Sequence, residues 1–197
     1  MTFRQNILRL FYPLFSAFRK ATSGKKLVNV QNTVPVVSFY SLSIELNNGD
    51  TLTFEKLRGK KVLVVNTASD CGFTAQYAEL QKLYELYHDR LEIIGFPSND
   101  FKQQEKGTDE QIQKFCTENF GITFPLVKKS IVSGGSDQNK IYNWLTSKEK
   151  NGWNNQLPQW NFAKYLINEK GVLTHYFDSS VSPVDMEVLK AVKTAAV

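Results

Sequence analysis

A run of β-branched apolar residues, Lys61-Val-Leu-Val-Val65, passes into Asn66-Thr-Ala-Ser-Asp-Cys-Gly-Phe-Thr74 and then into Tyr77, Leu80, Leu83, Tyr84 and Tyr87, which recur at helical spacing through Arg90. A second apolar run, Leu91 to Phe96, follows at once and ends at Pro97-Ser-Asn-Asp100. Gly107-Thr-Asp-Glu-Gln111 then opens another helix, with Thr108 and Gln111 spaced as a capping box and Gly121 as its stop. Strand, helix, strand, helix is a βαβ crossover pattern, and it predicts an α/β fold with a parallel core. Ahead of it, strand-like runs at Val36 to Leu42 and Thr51 to Phe54 flank Asn47-Asn-Gly-Asp50, which predicts an N-terminal β-hairpin. Behind it, Ile141 to Leu145 reads as helix and Tyr165 to Ile167 with Val172 to Phe177 as a hairpin through Asn168-Glu-Lys-Gly171. Pro183 to Val192 reads as a final helix.

The pattern puts Cys71 where a strand hands over to a helix. Peptide N–H groups at a helix start lack partners and carry the positive end of the dipole, so a thiolate there is favoured over a thiol. A cysteine of pKa near 8.5 is only about 3% thiolate at pH 7, whereas one lowered to about 6 is roughly 90% thiolate. Position therefore predicts a nucleophile of depressed pKa; the alternative is a small residue that is simply packed.

The basic excess is confined to one end. Six of the 24 Lys and Arg residues (Arg4, Arg9, Arg19, Lys20, Lys25 and Lys26) precede the first acid, Glu45, which leaves 18 against 19 acids and a net charge of −1 for residues 45–197. A near-neutral globular part argues against a nucleic-acid surface. Within the basic end, Ile7, Leu8, Leu10, Phe11, Leu14, Phe15 and Phe18 share one side of a helical wheel, interrupted by Pro13. The run is too short and too broken by Arg9 to span a bilayer easily, and no convincing cleavage site follows. An interfacial membrane anchor, a targeting segment and a disordered tail all fit residues 1–20, with residues 21–34 as a polar linker. The expected organisation is a basic amphipathic segment and linker over 1–34 and one domain over 35–197. Two cysteines provide no disulfide framework, so any redox role must involve these two. His88 and His175 lie far from any ligand spacing, and no metal site is expected.

Three blocks together, NTASDCGFT, GFPSNDFKQQEKG at Gly95 to Gly107 and QWNFAKYLINEKG at Gln159 to Gly171, resemble the signature blocks of the glutathione peroxidase family in order and approximate spacing. The resemblance covers Val36 to the C-terminus, about four-fifths of the chain. It implies a thioredoxin-like fold, a central mixed sheet flanked by helices, and reduction of hydroperoxides. It also implies that Cys71 is the peroxidatic residue, with Gln104, Trp160 and Asn161 completing a catalytic tetrad. Phe115-Cys-Thr-Glu-Asn-Phe-Gly121 resembles the segment that holds the resolving cysteine, here Cys116, in the thioredoxin-dependent branch. Ile112, Phe115, Cys116 and Phe120 nevertheless form one apolar helical face, on which Cys116 would be mere packing. Ser98, Asp100 and Lys106 depart from the family pattern, which has Cys, Gln and Pro there; none is a tetrad position, and surface electrostatics near the site is what they put in question.

The chemistry asks for such a set in its own right. A thiolate attacking an O–O bond leaves negative charge on the departing oxygen, and fixed donors with a nearby proton source lower that barrier. The amides of Gln104 and Asn161 and the indole of Trp160 are donors that stay neutral across physiological pH. Taken singly, each has a plainer role, as loop, turn or core residue. The combined reading is a cytoplasmic, monomeric thiol peroxidase acting on hydrogen peroxide and organic or lipid hydroperoxides, with no bound cofactor and thioredoxin as reductant. A single-cysteine enzyme using glutathione and a thiol peroxide sensor are the competing readings. A metallochaperone would need a second cysteine near Cys71, and Cys71-Gly-Phe-Thr74 has none.

Overall fold

The computed structural model describes residues 25–194. Strand β4 (Lys61–Thr67) lies inside a mixed sheet, parallel to the edge strand β5 (Leu91–Pro97), with Lys61 opposite Leu91 and Thr67 opposite Pro97. On its other edge it pairs antiparallel with β6 (Lys164–Ile167), which pairs with β7 (Leu173–Phe177), which pairs with β1 (Lys26–Val28). The sheet order is β1-β7-β6-β4-β5, and β2 (Ser43–Glu45) with β3 (Thr51–Thr53) forms a separate hairpin. Five helices complete the described chain: α1 (Gln76–Tyr87), α2 (Asp109–Phe120), α3 (Lys140–Leu145), α4 (Lys148–Asn151) and α5 (Met186–Lys193).

Every residue of β4 is buried because the sheet is covered on both faces. Leu63 and Val65 meet Leu80 and Leu83 of α1, Ile112 and Cys116 of α2 and Val188 of α5. Their neighbours Val62 and Val64 point the other way, to Phe39, Phe54, Tyr142 and Trp144. Fully burying one such side chain contributes about 1.5–3 kcal/mol, so the two layers together fix the height and tilt of β4 and hence where its C-terminal end delivers the chain. The capping box of α2 forms as expected: Gln111 N–H donates to Thr108 Oγ1 at 3.3 Å and Thr108 N–H to Gln111 Oε1 at 3.0 Å, and Gly121 ends the helix at φ +63°. In the β6–β7 turn Gly171 is required twice over, by φ +79° and by the Tyr40 ring, which a Cβ would meet at 2.8 Å.

Two expectations are corrected. Residues 36–42 are not a strand: Phe39–Ser41 is a 3₁₀ turn, and the hairpin's first strand starts at Ser43. Phe39 and Tyr40 are adjacent yet pack into the same side of the core, whereas strand neighbours would point to opposite faces; Phe39 packs on Phe54 and Trp144 with centroids at 4.7 and 5.1 Å. Nor is the stretch up to residue 34 a linker throughout. Lys26, Leu27 and Val28 pair with Phe177, Tyr176 and His175, and the buried Asn29 amide donates to Leu173 O at 3.0 Å and Thr33 O at 3.1 Å. A three-residue strand with two exposed side chains carries no periodicity to read; the free edge of β7 decides it. The amphipathic segment, residues 1–20, lies outside the described residues. Among the described residues no helix is long and apolar enough to cross a membrane.

Candidate active site

Beyond Thr67 the chain makes consecutive turns before α1 begins at Gln76. Thr74 closes them: its Oγ1 accepts from Cys71 N–H at 3.0 Å and donates to Ala68 O at 2.9 Å. Cys71 is held inside this loop, 1% exposed, with Phe73 N–H donating to its Sγ at 3.4 Å. The helix start is therefore five residues further on than a thiolate needs it to be. Burial pushes the Cys71 thiol above its ordinary pKa; the Phe73 N–H, Asn161 and Trp160 pull it back, and Asp70 adds a further upward push. The expected depression is not what the structure gives, because the loss of water around a sealed sulfur outweighs three donors.

The loop after β5 supplies the second wall. Asp70 N–H donates to Gln104 O at 3.0 Å, which ties this loop to the one carrying Cys71. Lys102 and Gln103, just before Gln104, both sit at φ +52°, a backbone that favours glycine. The third wall is Trp160-Asn161-Phe162, and it is built from β4. Asn66 Nδ2 donates to Trp160 O at 2.9 Å, Asn66 Oδ1 accepts from Ala163 N–H at 3.1 Å, and Asn66 O accepts from Phe162 N–H at 2.6 Å. One buried asparagine thus captures a whole turn from far along the chain. Asn161 Nδ2 donates to Gln104 Oε1 at 2.9 Å. Trp160 is half-buried, its ring 5.8 Å from Phe101 and 5.5 Å from Lys102 Nζ.

The structure therefore brings Cys71, Gln104, Trp160 and Asn161 to one place. Cys116 is elsewhere, on the packed face of α2, 0% exposed, its thiol pushed up to about 12 by burial, with the Tyr77 hydroxyl opposing that shift and Glu105 adding to it. Both thiols are free. Sequence reasoning missed Asn66 and Glu105. Asn66 was visible as a polar residue ending an apolar strand, whereas Glu105 gave no signal in a polar loop. Glu105 is 1% exposed, accepts from Ser69 Oγ at 2.9 Å, and burial raises its pKa to about 7 against the pull of Ser69 and Lys129. Of the departures from the family pattern, Ser98 is buried and Asp100 Oδ2 accepts from Val132 and Ser133 N–H at 2.7 and 2.8 Å, so these two shape loops rather than surface charge. Among the described residues no group of three or more His, Cys, Asp or Glu is placed to hold a metal ion.

The glutathione peroxidase family model matches residues 39–146, more than half of the chain. The chain belongs to the glutathione peroxidase family. That match contains Cys71, Gln104 and Cys116, and Trp160 and Asn161 lie past its end. This glutathione peroxidase family member is 43% identical over 151 residues to glutathione peroxidase-like peroxiredoxin 2 of Saccharomyces cerevisiae, covering 76% of this chain and 93% of that protein. A solved structure described as Trgpx in apo form is similar at a TM-score of 0.61 and 32% identity, over 82% of this chain and 99% of that one. A thioredoxin family protein from Chlorobium tepidum shares the fold at a TM-score of 0.57 and 13% identity, over 81% and 96%. The fold is thioredoxin-like, and the protein is a peroxide-reducing oxidoreductase.

Proposed function

We propose that Cys71 is the peroxidatic nucleophile, that Gln104, Trp160 and Asn161 are its donors, and that Cys116 resolves the oxidised enzyme for reduction by thioredoxin. The observation that carries this is the Asn161 amide on Gln104 Oε1 at 2.9 Å, beside a sulfur that already takes the Phe73 N–H. In the first step the Cys71 thiolate attacks the nearer peroxide oxygen. The S–O bond forms as the O–O bond breaks, and the departing alkoxide or hydroxide takes a proton, leaving a sulfenic acid and an alcohol or water. The neutral donors stabilise the thiolate and then the departing oxyanion. In the second step the Cys116 thiolate attacks the Cys71 sulfur, an S–S bond forms, and hydroxide leaves to become water. A thioredoxin dithiol then exchanges with that disulfide and restores both thiols. Hydrogen peroxide and organic or lipid hydroperoxides are the substrate class.

Because Cys116 is sealed on α2, the second step requires that helix to open. Its N-terminal turns carry little buried surface beyond Ile112, and the cost falls mainly on Phe115 and Phe120, whose rings pack at 5.8 Å, and on the 5.4 Å contact of Phe120 with Tyr77. The same burial favours a second reading, in which Cys116 stays packed and glutathione reduces Cys71 directly. Turnover of wild type, Cys71→Ser and Cys116→Ser with thioredoxin and its reductase, against turnover with glutathione, separates the two. Wild type should work with thioredoxin, Cys71→Ser should be dead, and Cys116→Ser should lose thioredoxin turnover while still oxidising once. Peroxide should also yield a Cys71–Cys116 disulfide with weaker amide protection over 108–120. A glutathione adduct at Cys71 with Cys116 still free would replace the two-cysteine reading. A stable mixed disulfide with another protein would mark a peroxide sensor. For residues 1–20 the proposed role is to hold a cytoplasmic enzyme at a membrane surface through an apolar face and clustered bases.

A further inference from the structure

Lys164, the first residue of β6, stands three positions after Asn161 and is 0% exposed. Its Nζ donates to Phe162 O at 2.8 Å and Val181 O at 2.6 Å, and reaches Asp178 O at 3.5 Å. Holding an ammonium here is unfavourable: burial pulls its pKa down to about 7, even with Glu79 and Asp178 attracting it. Packing alone would be met as well by an apolar chain of the same length, so the donors are what the position uses.

What they tie together surrounds the site from behind. Phe162 sits at φ +66°, a conformation that a bulky side chain holds only when its surroundings impose it. Its N–H is taken by Asn66 O and its carbonyl by Lys164, so the strained residue is clamped on both sides. The 178–182 loop that Lys164 also grips is fastened to the start of α1, where Gln76 Nε2 donates to Ser179 O at 2.7 Å and Ser182 Oγ donates to Glu79 Oε2 at 2.8 Å. Helix α1 follows directly from the turns that hold Cys71. Hydrogen bonds joined by short stretches of backbone therefore connect Asn161, through Phe162, Lys164 and the 178–182 loop, to Gln76 and so to the Cys71 loop.

We propose that Lys164 is a positioning residue for peroxide reduction, the hydrogen bonds of its buried amino group locking the Trp160-Asn161-Phe162 turn to the 178–182 loop and α1, so that the Asn161 donor stays in register with the Cys71 sulfur. The proposal rests on the reading of Asn161 as a donor in that reaction. A displacement of about 1 Å at a reacting centre can cost on the order of 100-fold in rate, so Lys164→Met should slow single-turnover oxidation of Cys71 roughly 10- to 100-fold. It should also raise the Cys71 pKa read from the pH profile of alkylation, an effect that lost stability alone would not produce. If position is what Lys164 supplies, the same substitution made on Asn161→Ala should cost less than about threefold more.

Gln76→Met cuts the same path at its other end and decides the matter if Lys164→Met does not fold. Folded variants that oxidise at the wild-type rate would overturn the proposal, as would an equal factor of loss with and without Asn161. An Asn161→Ala enzyme of wild-type rate would instead bring down the donor reading and this proposal with it.

Discussion

Replacing Asn161 by alanine removes two interactions at the sulfur's side of the site, the 2.9 Å bond to Gln104 Oε1 and the donor that lowers the Cys71 pKa. The side chain is 0% exposed, so water does not readily take its place. A hydrogen bond to a charged group contributes about 1.5–3 kcal/mol, and the thiolate and the departing oxyanion are both such groups. At 1.36 kcal/mol per factor of ten, that range converts to roughly 10- to 150-fold in the rate of Cys71 oxidation. The alkylation pKa of Cys71 should move up in parallel, since the donor favours the thiolate over the thiol. Single-turnover oxidation by hydrogen peroxide, followed by loss of free thiol at fixed pH, reads the first quantity without interference from the reductant. Alkylation rate against pH reads the second. A folded Asn161→Ala enzyme that loses less than threefold in rate and keeps the wild-type pKa would refute the argument.

Asn66→Ala should leave Ala163 N–H buried and unpartnered, at about 1–3 kcal/mol, and remove the donor to the part-buried Trp160 O, read as a lower urea midpoint with unchanged slope. Glu105 has a folded pKa of about 7, above the unfolded value near 4.3. Its protonated form is thus the one the fold prefers, and the stability it contributes is complete below about pH 4.3 and lost as pH rises through 7. Wild type should lose about 3 kcal/mol across that window relative to Glu105→Gln, which keeps an acceptor for Ser69; identical pH slopes in urea titrations at pH 5 and 7.5 would show that Glu105 is not the group. Deleting residues 1–24 should leave melting temperature and peroxide turnover intact while reducing sedimentation with acidic vesicles. Deleting 1–34 also removes β1 and the Asn29 bonds and should lower the melting temperature by several degrees; equal melting of the two truncations would mean that β1 contributes nothing.

Local patterning determined most of the frame. The β-branched run at 61–65, the helical spacing at 77–87 and the capping box at Thr108 each express a preference settled within a few residues, and each element lies where that preference puts it. The three sequence blocks likewise join Cys71, Gln104, Trp160 and Asn161 in one reading. What the chain could not express locally was decided by partners distant in sequence. Two neighbouring aromatics at 39 and 40 became a 3₁₀ turn because Phe54, Trp144 and the Glu169 carbonyl take them from two directions. Lys26–Val28 became a strand because β7 had an edge to fill. The ionisation of Cys71 is the clearest instance. Its place after a strand predicts a stabilised thiolate, but a pKa depends on how much water the packed neighbours remove, and that is a property of the assembled site: burial raises the thiol while Phe73, Asn161 and Trp160, drawn in from both ends of the domain, work to lower it.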